Sequence, residues 1–309
     1  MEAWIPHPQG LELIGEVPAG VTLRVWGGPA EPLPGDPELV RFWVPPFLAQ
    51  AAAVSMVGRL PKVRVVQLLS AGAEVWVDRL PAGVTLCDAR GVHDSSTAEW
   101  VLAAVLGQLR AFPAFARAQA ARHWSYAEHT PTDELSGKRV LIIGAGSIGA
   151  AIEARLRPFQ VSITRVARTA RPGDGVHGVE ELPALLPYAD IAILVVPLTP
   201  QTRGMVGAEF LAALPDGALL VNAARGPVAD TDALTAELRT GRISAALDVT
   251  EPEPLPTGHP LWGMENVLLT PHVGGSVRGL LPRAYRLAGA QLARYAAGQP
   301  VINQVVNGY

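Results

Sequence analysis

The feature that most constrains this chain is Gly144-Ala145-Gly146-Ser147-Ile148-Gly149, which directly follows the apolar run 140–143 and opens a helix-length stretch. Each glycine has a task in such a strand–turn–helix. The first permits a tight turn, the second lets the backbone approach a pyrophosphate, and the third lets the helix pack on the strand. The helix start, here Ser147 and Ile148, offers N–H groups and a positive dipole end to phosphate. The spacing therefore predicts a dinucleotide held by Gly144, Gly146, Ser147, Ile148 and Gly149.

The surrounding rhythm agrees. Apolar runs at 140–143, 161–166, 191–196, 218–221, 243–249 and 267–269 alternate with helix-length stretches at 148–157, 179–186 and 230–240. Continuous Val/Ile/Leu runs suit strands covered on both faces, and strand–helix alternation with right-handed crossovers gives a parallel, doubly wound sheet. The first ~97 residues predict a second, smaller α/β unit, by the usual size of domains. Its candidate strands lie at 22–26, 41–44, 63–69 and 84–87. The stretch 98–109 is apolar almost all round, so its helix must be covered on several sides, where two domains or two subunits meet. A last helix spans 280–297 and ends at Gly298 and Pro300.

Composition excludes several classes. Lys and Arg number 25 against 28 Asp and Glu, a net charge of −3, which lacks the basic surplus of a nucleic-acid binder. No run approaches the ~18 uninterrupted apolar residues of a membrane span. The chain begins Met1-Glu2-Ala3-Trp4 with no Lys or Arg before Arg24, unlike a secretory signal. Cys87 is the one cysteine, so neither an internal disulfide nor a Cys-based zinc site is expected, and no metal is called for. The expectation is a cytoplasmic protein that binds neither nucleic acid nor membrane.

Four strand ends carry candidate chemistry. After the second strand the chain reads Thr164-Arg165-Val166-Ala167-Arg168-Thr169, without the Asp or Glu that binds the ribose hydroxyls of NAD. An Arg beside a hydroxyl suits a 2′-phosphate instead, so NADP(H) is the expected cofactor, with NAD(H) as the alternative. Arg168 is the main contact in this reading, assisted by Thr169 or Arg165. Further on stand Asn222-Ala223-Ala224-Arg225-Gly226-Pro227, Asp248-Val249-Thr250-Glu251-Pro252-Glu253-Pro254 and Thr270-Pro271-His272-Val273-Gly274-Gly275. Ligands bind at the carboxyl ends of such strands. A histidine there can give a proton to a substrate oxygen, and a carboxylate partner favours its imidazolium form. Spacing alone leaves Glu251 and Glu253 both open as that partner. The other histidines, among them His7 and His93, lack such a setting.

Taken in order and spacing, these runs resemble the D-isomer-specific 2-hydroxyacid dehydrogenase family over roughly residues 60–305. The resemblance implies an α/β protein of two domains, Rossmann-like and flavodoxin-like, whose parallel doubly wound sheets flank a cleft. Residues 1–97 plus 285–309 would form the substrate domain and 98–284 the dinucleotide-binding domain. It implies a catalytic set of Arg225, Glu253 and His272: the Arg pairs with the substrate carboxylate, the His protonates the oxygen on C2 as hydride arrives from nicotinamide, and the Glu orients the His. Pro197, Ala223, Asp248 and Gly274 would complete the cofactor site. Ser70-Ala71-Gly72-Ala73 is similar to the family's substrate-carboxylate loop, so Ala71 and Gly72 are expected to bind substrate with Arg225. Trp43 would line the same pocket, and Thr97 lies in a hinge-like segment. Asp88 departs from the Asn common in the family.

The reading that follows is an NADP(H)-dependent reductase of small 2-oxo acids, of glyoxylate or hydroxypyruvate type. The alternatives are an NAD-dependent 3-phosphoglycerate or other D-2-hydroxyacid dehydrogenase, and a cofactor-sensing binding protein like the family's corepressors. The expected partners are a 2-oxo or 2-hydroxy acid and a second copy of the chain, a homodimer through the nucleotide-binding domain.

Overall fold

The computed structural model describes residues 1–47 and 50–306 and, by the density of internal contacts, divides into two units. One comprises Met1–His93 and the chain from Val277 onward; the other is Asp94–Ser276. The family resemblance implied boundaries at 97/98 and 284/285. The crossings fall earlier because the helices Asp94–Leu109 and Leu280–Ala296 each belong whole to one unit.

The first unit holds β1 (Glu2–Ile5), β2 (Thr22–Val25), β3 (Val40–Trp43), β4 (Val65–Gln67) and β5 (Thr85–Cys87) in the order β2-β1-β3-β4-β5, all parallel. Its core has two layers, one per sheet face, because successive side chains of a strand point to opposite sides. Phe42 joins Ala3, Ile5, Tyr285, Ala288 and Leu292 on the face covered by helix Leu280–Ala296. Trp43 turns to the other face, where Trp4, Trp26, Trp43 and Trp76 lie buried with ring centroids 5.3–6.0 Å apart. Gly289 allows the close approach of that helix, since a Cβ there would lie 1.9 Å from the carbonyl oxygen of Ile14.

The second unit holds β6 (Arg139–Ile143), β7 (Ser162–Ala167), β8 (Val176–Gly178), β9 (Ile191–Leu194), β10 (Leu219–Asn222), β11 (Ser244–Leu247) and β12 (Val267–Leu269), ordered β12-β11-β10-β9-β6-β7-β8 and parallel throughout. Counted from β6 this is 3-2-1-4-5-6 with one further strand, the dinucleotide-binding order, and its reversal lies between β6 and β9. Pairing register aligns Val166, Ile143, Leu194, Asn222, Leu247 and Leu269 in one row across the sheet. Every loop that follows this row leaves from the same edge at the same level.

Two strands escaped the sequence reading. β1 is a four-residue run at the N-terminus, and β8 (Val-His-Gly) has too few residues for a periodic signal. The stretch 179–186 is not one helix: Pro183 and Pro187 divide it into single turns. Helix Asp94–Leu109 does bury much of its surface, with Ala98, Val101, Ala104 and Val105 against Ile142, Ile193 and Val221 of the sheet. Leu102, Leu106 and Leu109 are only partly covered.

Candidate active site

The glycine turn leaves β6 immediately after the aligned row. Gly144 adopts φ 119°, and a Cβ on it would lie 2.5 Å from the Val195 carbonyl oxygen, across the point where the strand order reverses. A Cβ on Gly149 would lie 2.1 Å from the Gly144 carbonyl oxygen, so the third glycine is what lets the helix Ser147–Leu156 close on its own turn. Gly146 differs: its Cβ direction is open space, and as N-cap it offers no side-chain hydrogen bond to the helix start. An uncapped helix N-terminus facing open space fits the pyrophosphate of a dinucleotide. Ser147 directs its hydroxyl to the Asp94 carboxylate (3.1 Å), and Ile148 packs partly buried against the core below.

At the end of β7, Arg168 and Thr169 are exposed. Arg165, expected to assist there, is committed elsewhere: it pairs with the buried Glu153 carboxylate at 3.2 Å and also bonds the Asp174 carbonyl. The cause is its position within the strand, facing helix Ser147–Leu156, whereas Arg168 lies past the strand end. Arg171 takes the neighbouring place, donating from Nη2 to the Ala145 carbonyl of the glycine turn at 3.1 Å. Pro197, exposed in the loop after β9, accepts from the Thr202 hydroxyl (2.6 Å).

Three residues past the row, β10 delivers Arg225. The buried Asn222 shapes this turn: its amide donates to the Arg225 carbonyl (3.1 Å) and its oxygen accepts from the Ala224 N–H (3.0 Å). Arg225 is half-buried and donates from Nη1 to the Ala224 carbonyl at 2.7 Å, and Ala223 is half-buried beside it. His272 likewise lies three residues past the row, two strands away, about 10 Å at the usual strand spacing. Its Nδ1 is 2.7 Å from Oε1 of Glu253, both side chains about two-fifths exposed. A carboxylate only accepts, so Nδ1 carries the proton and Nε2 is left for another partner. Of the two glutamates left open by spacing, Glu253 is the one that reaches His272. Glu251 offers its backbone carbonyl to Thr231 (2.8 Å), with its side chain exposed.

Asp248, expected beside the nicotinamide, is 4% exposed and spends its oxygens inside the His272 turn. Oδ1 accepts from the Thr270 hydroxyl (2.6 Å) and the Val273 N–H (2.8 Å), and Oδ2 from the Gly274 N–H (2.7 Å). Gly274 is buried, and a Cβ there would come within 2.9 Å of that carboxylate.

In the first unit the Ser70 hydroxyl closes a small turn onto the Gly72 carbonyl at 2.8 Å, with Ala71 half-buried between them, at the carboxyl end of β4. Trp43 corrects the expectation that it lines a pocket. It is fully enclosed by core side chains, because its place in β3 turns it to the face opposite Phe42. Two histidines passed over in the sequence do follow strands at this edge. His7, after β1, holds Nδ1 3.0 Å from the Tyr285 hydroxyl, and burial pushes its pKa down. His93, after β5, stacks on Phe47 (centroids 6.3 Å) and meets the Leu69 carbonyl at 3.0 Å. The apolar Ala3-Trp4-Ile5 run before Pro6-His7 was the available signal, the same strand-then-Pro-His pattern as at His272.

Known proteins resemble this chain in sequence and in fold. Residues 102–274 match the family described as D-isomer specific 2-hydroxyacid dehydrogenase, NAD binding domain. Hydroxyphenylpyruvate reductase of Plectranthus scutellarioides is 32% identical over 292 residues, covering 87% of this chain and 92% of its own length. Glyoxylate/hydroxypyruvate reductase A of Yersinia enterocolitica is 32% identical over 289 residues, covering 89% and 88%. A D-isomer specific 2-hydroxyacid dehydrogenase from Xanthobacter autotrophicus Py2, solved with NADPH and MES, superposes with TM-score 0.84 at 34% identity over 100% of this chain and 99% of that one. The NADPH-dependent glyoxylate/hydroxypyruvate reductase of Sinorhizobium meliloti, solved with NADP and sulfate, gives TM-score 0.84 at 25% identity, covering 100% and 99%. With its two parallel sheets, its glycine turn and its histidine–glutamate pair, this chain belongs to the D-isomer specific 2-hydroxyacid dehydrogenase family, nicotinamide-dependent oxidoreductases that act on CH–OH groups.

Proposed function

We propose that the protein reduces small 2-oxo acids of glyoxylate or hydroxypyruvate type with NADPH. The observation that carries the reading is the His272–Glu253 pair, which shares with Arg225 the carboxyl edge of one sheet. Nicotinamide, when bound, supplies the hydride for C2. Arg225 pairs with the substrate carboxylate and polarises the adjacent carbonyl. His272 gives the proton on Nε2 to the oxygen of C2, while Glu253 holds Nδ1–H and stabilises the imidazolium form. In the oxidative direction the neutral imidazole takes that proton back. Gly146 and the helix start would hold the pyrophosphate.

The preference for NADPH rests on the end of β7, which has no acid and presents Arg168 and Thr169 to solvent, with Arg171 braced beside them. A matrix of glyoxylate, hydroxypyruvate, pyruvate and bulkier 2-oxo acids against NADPH and NADH tests both halves of the reading. The expected result is the highest kcat/KM for a two- or three-carbon acid with NADPH, and a fall in the NADPH/NADH ratio of ~10-fold or more in Arg168→Ala. A higher kcat/KM with NADH in the parent enzyme refutes the cofactor assignment, and no turnover with any acid refutes the reaction.

A second copy of the chain is the proposed macromolecular partner. The half-covered Leu102, Leu106 and Leu109 lead into Phe112, Trp124 and Tyr126, exposed by 61%, 92% and 68%. Beside the protruding indole lies a groove of about 430 Å³ lined by Phe115, Ala118 and Arg122. Under a twofold axis the exposed aromatic side chains of this segment would pack against the same segment of the second copy. Light scattering should give twice the chain mass, and Trp124→Ser with Phe112→Ser should give monomer. A monomeric parent protein refutes the pairing.

A further inference from the structure

Side chains of opposite charge flank the glycine turn. Arg171, past the end of β7, donates to the Ala145 carbonyl at 3.1 Å. On the other flank, Oδ1 of Asp94 accepts from the Ser147 hydroxyl at 3.1 Å. Ser147 is the first residue of helix Ser147–Leu156, so a carboxylate stands at the positive end of the helix whose start is the proposed pyrophosphate site. Asp94 is also the first residue of its own helix, Asp94–Leu109. The positive ends of two helices thus share one half-buried carboxylate. We propose that Asp94 is an affinity-setting residue of the cofactor site: its charge offsets the two helix ends, holds the Ser147 hydroxyl, and opposes pyrophosphate at that helix start.

Packing keeps the carboxylate in place. Next to Asp94, the Ser95 hydroxyl accepts from Nη2 of Arg155 (2.7 Å) and donates to Oε1 of Glu99 (2.9 Å). Arg155 also donates to the Ala151 carbonyl (3.1 Å), within its own helix. Below these ties, Ala98 and Val101 share one core with Ile152 and Leu156. The two helices are therefore fixed to each other, and Asp94 cannot swing away with its helix when a dinucleotide arrives. The Ser147 hydroxyl has one proton, for which a carboxylate and a phosphate oxygen compete. Two anions drawn to one helix end also repel, and at a half-buried position solvent screens them incompletely. An acid that merely stabilised its own helix would not meet the start of the other. Together the two effects should weaken cofactor binding by ~10-fold.

The inference rests on the reading that Gly146 and the helix start hold the pyrophosphate, and its experiment measures binding rather than turnover. Dissociation constants for NADPH and NADH are taken by calorimetry on the parent, Asp94→Asn, Asp94→Ser and Asp94→Glu. Asn and Ser keep an acceptor for the Ser147 hydroxyl but remove the charge, whereas Glu keeps the charge. Asp94→Asn and Asp94→Ser should bind NADPH ~10-fold more tightly than the parent, and Asp94→Glu within about threefold of it. NADH should gain by a similar factor, because the pyrophosphate is common to both cofactors. Neutralising the exposed Glu209 of the same unit, as Glu209→Gln, should leave both constants within about twofold of the parent. Unchanged or weaker NADPH binding in Asp94→Asn and Asp94→Ser would overturn the proposal, weaker binding making the carboxylate a contact to cofactor. An equal gain in Glu209→Gln would overturn it too, since net charge would then be the cause. A parent that binds neither dinucleotide would remove the cofactor site and this inference together, whereas a parent that binds them with no gain in the uncharged variants removes the inference alone.

Discussion

Gly226→Ala tests the site at its narrowest point. A Cβ on Gly226 would lie 1.9 Å from the Thr250 carbonyl oxygen, 2.2 Å from its carbon and 2.8 Å from the Glu251 nitrogen. All three are backbone atoms, so no flexible side chain can yield. Gly226 is not in the left-handed region, so alanine is conformationally acceptable and the whole effect is steric. Ordinary contact begins near 3.4 Å, and one backbone must therefore retreat by about 1.5 Å, the shortfall from overpacking a filled space. Each side carries a group of the proposed chemistry: Arg225 precedes Gly226, and Glu253 stands two residues beyond Glu251. A shift of this size should lower kcat/KM by ~10²-fold or more, whichever side moves. Overpacking adds a stability cost of about 1–3 kcal/mol, some 2–4 °C in Tm per kcal/mol for a unit of this size. Steady-state kinetics with NADPH and the best 2-oxo acid, beside thermal unfolding, reads both. A variant with unchanged Tm and kcat/KM close to the parent would refute the packing argument.

The same substitution at Gly146 should behave in the opposite way: with no atom within 4 Å of the added methyl, Tm stays put while cofactor affinity falls, and unchanged affinity in a titration would remove Gly146 from the pyrophosphate site. His272→Gln should lower kcat by ~10²–10⁴-fold and leave NADPH affinity intact, because only the transferable proton is lost; near-normal turnover would dismiss His272 as the donor. Asp88→Asn concerns stability and pH. Burial holds the Asp88 carboxyl above its ordinary range, against the opposing pull of the Arg90 N–H and guanidinium. A raised folded-state pKa contributes stability that is full below the unfolded value and is lost as pH rises through the folded one. The non-titrating Asn variant should therefore gain in Tm relative to the parent as pH goes from about 4 to 7; a gap that shrinks over that interval would contradict the assignment.

Six of the second unit's seven strands were legible in the sequence to within two residues. Its strands are uninterrupted apolar runs and its turns carry glycines in fixed places, and such features depend on neighbours along the chain. The strand-end motifs at Arg225, Glu253 and His272 were legible for the same reason, since in a parallel sheet everything that follows a strand leaves at one edge. What spacing could not supply was decided by contacts between distant segments. The choice of Glu253 over Glu251 came from a turn that brings one carboxylate within 2.7 Å of a ring nineteen residues away. Trp43 passed from pocket to core because the pleat of β3 set its face. Arg165 was taken by Glu153 of an adjoining helix, and Asp248 by a turn that begins twenty-two residues later. Local periodicity fixes which elements form. Where a polar side chain spends its hydrogen bonds is settled only when the chain has folded and remote partners compete for it.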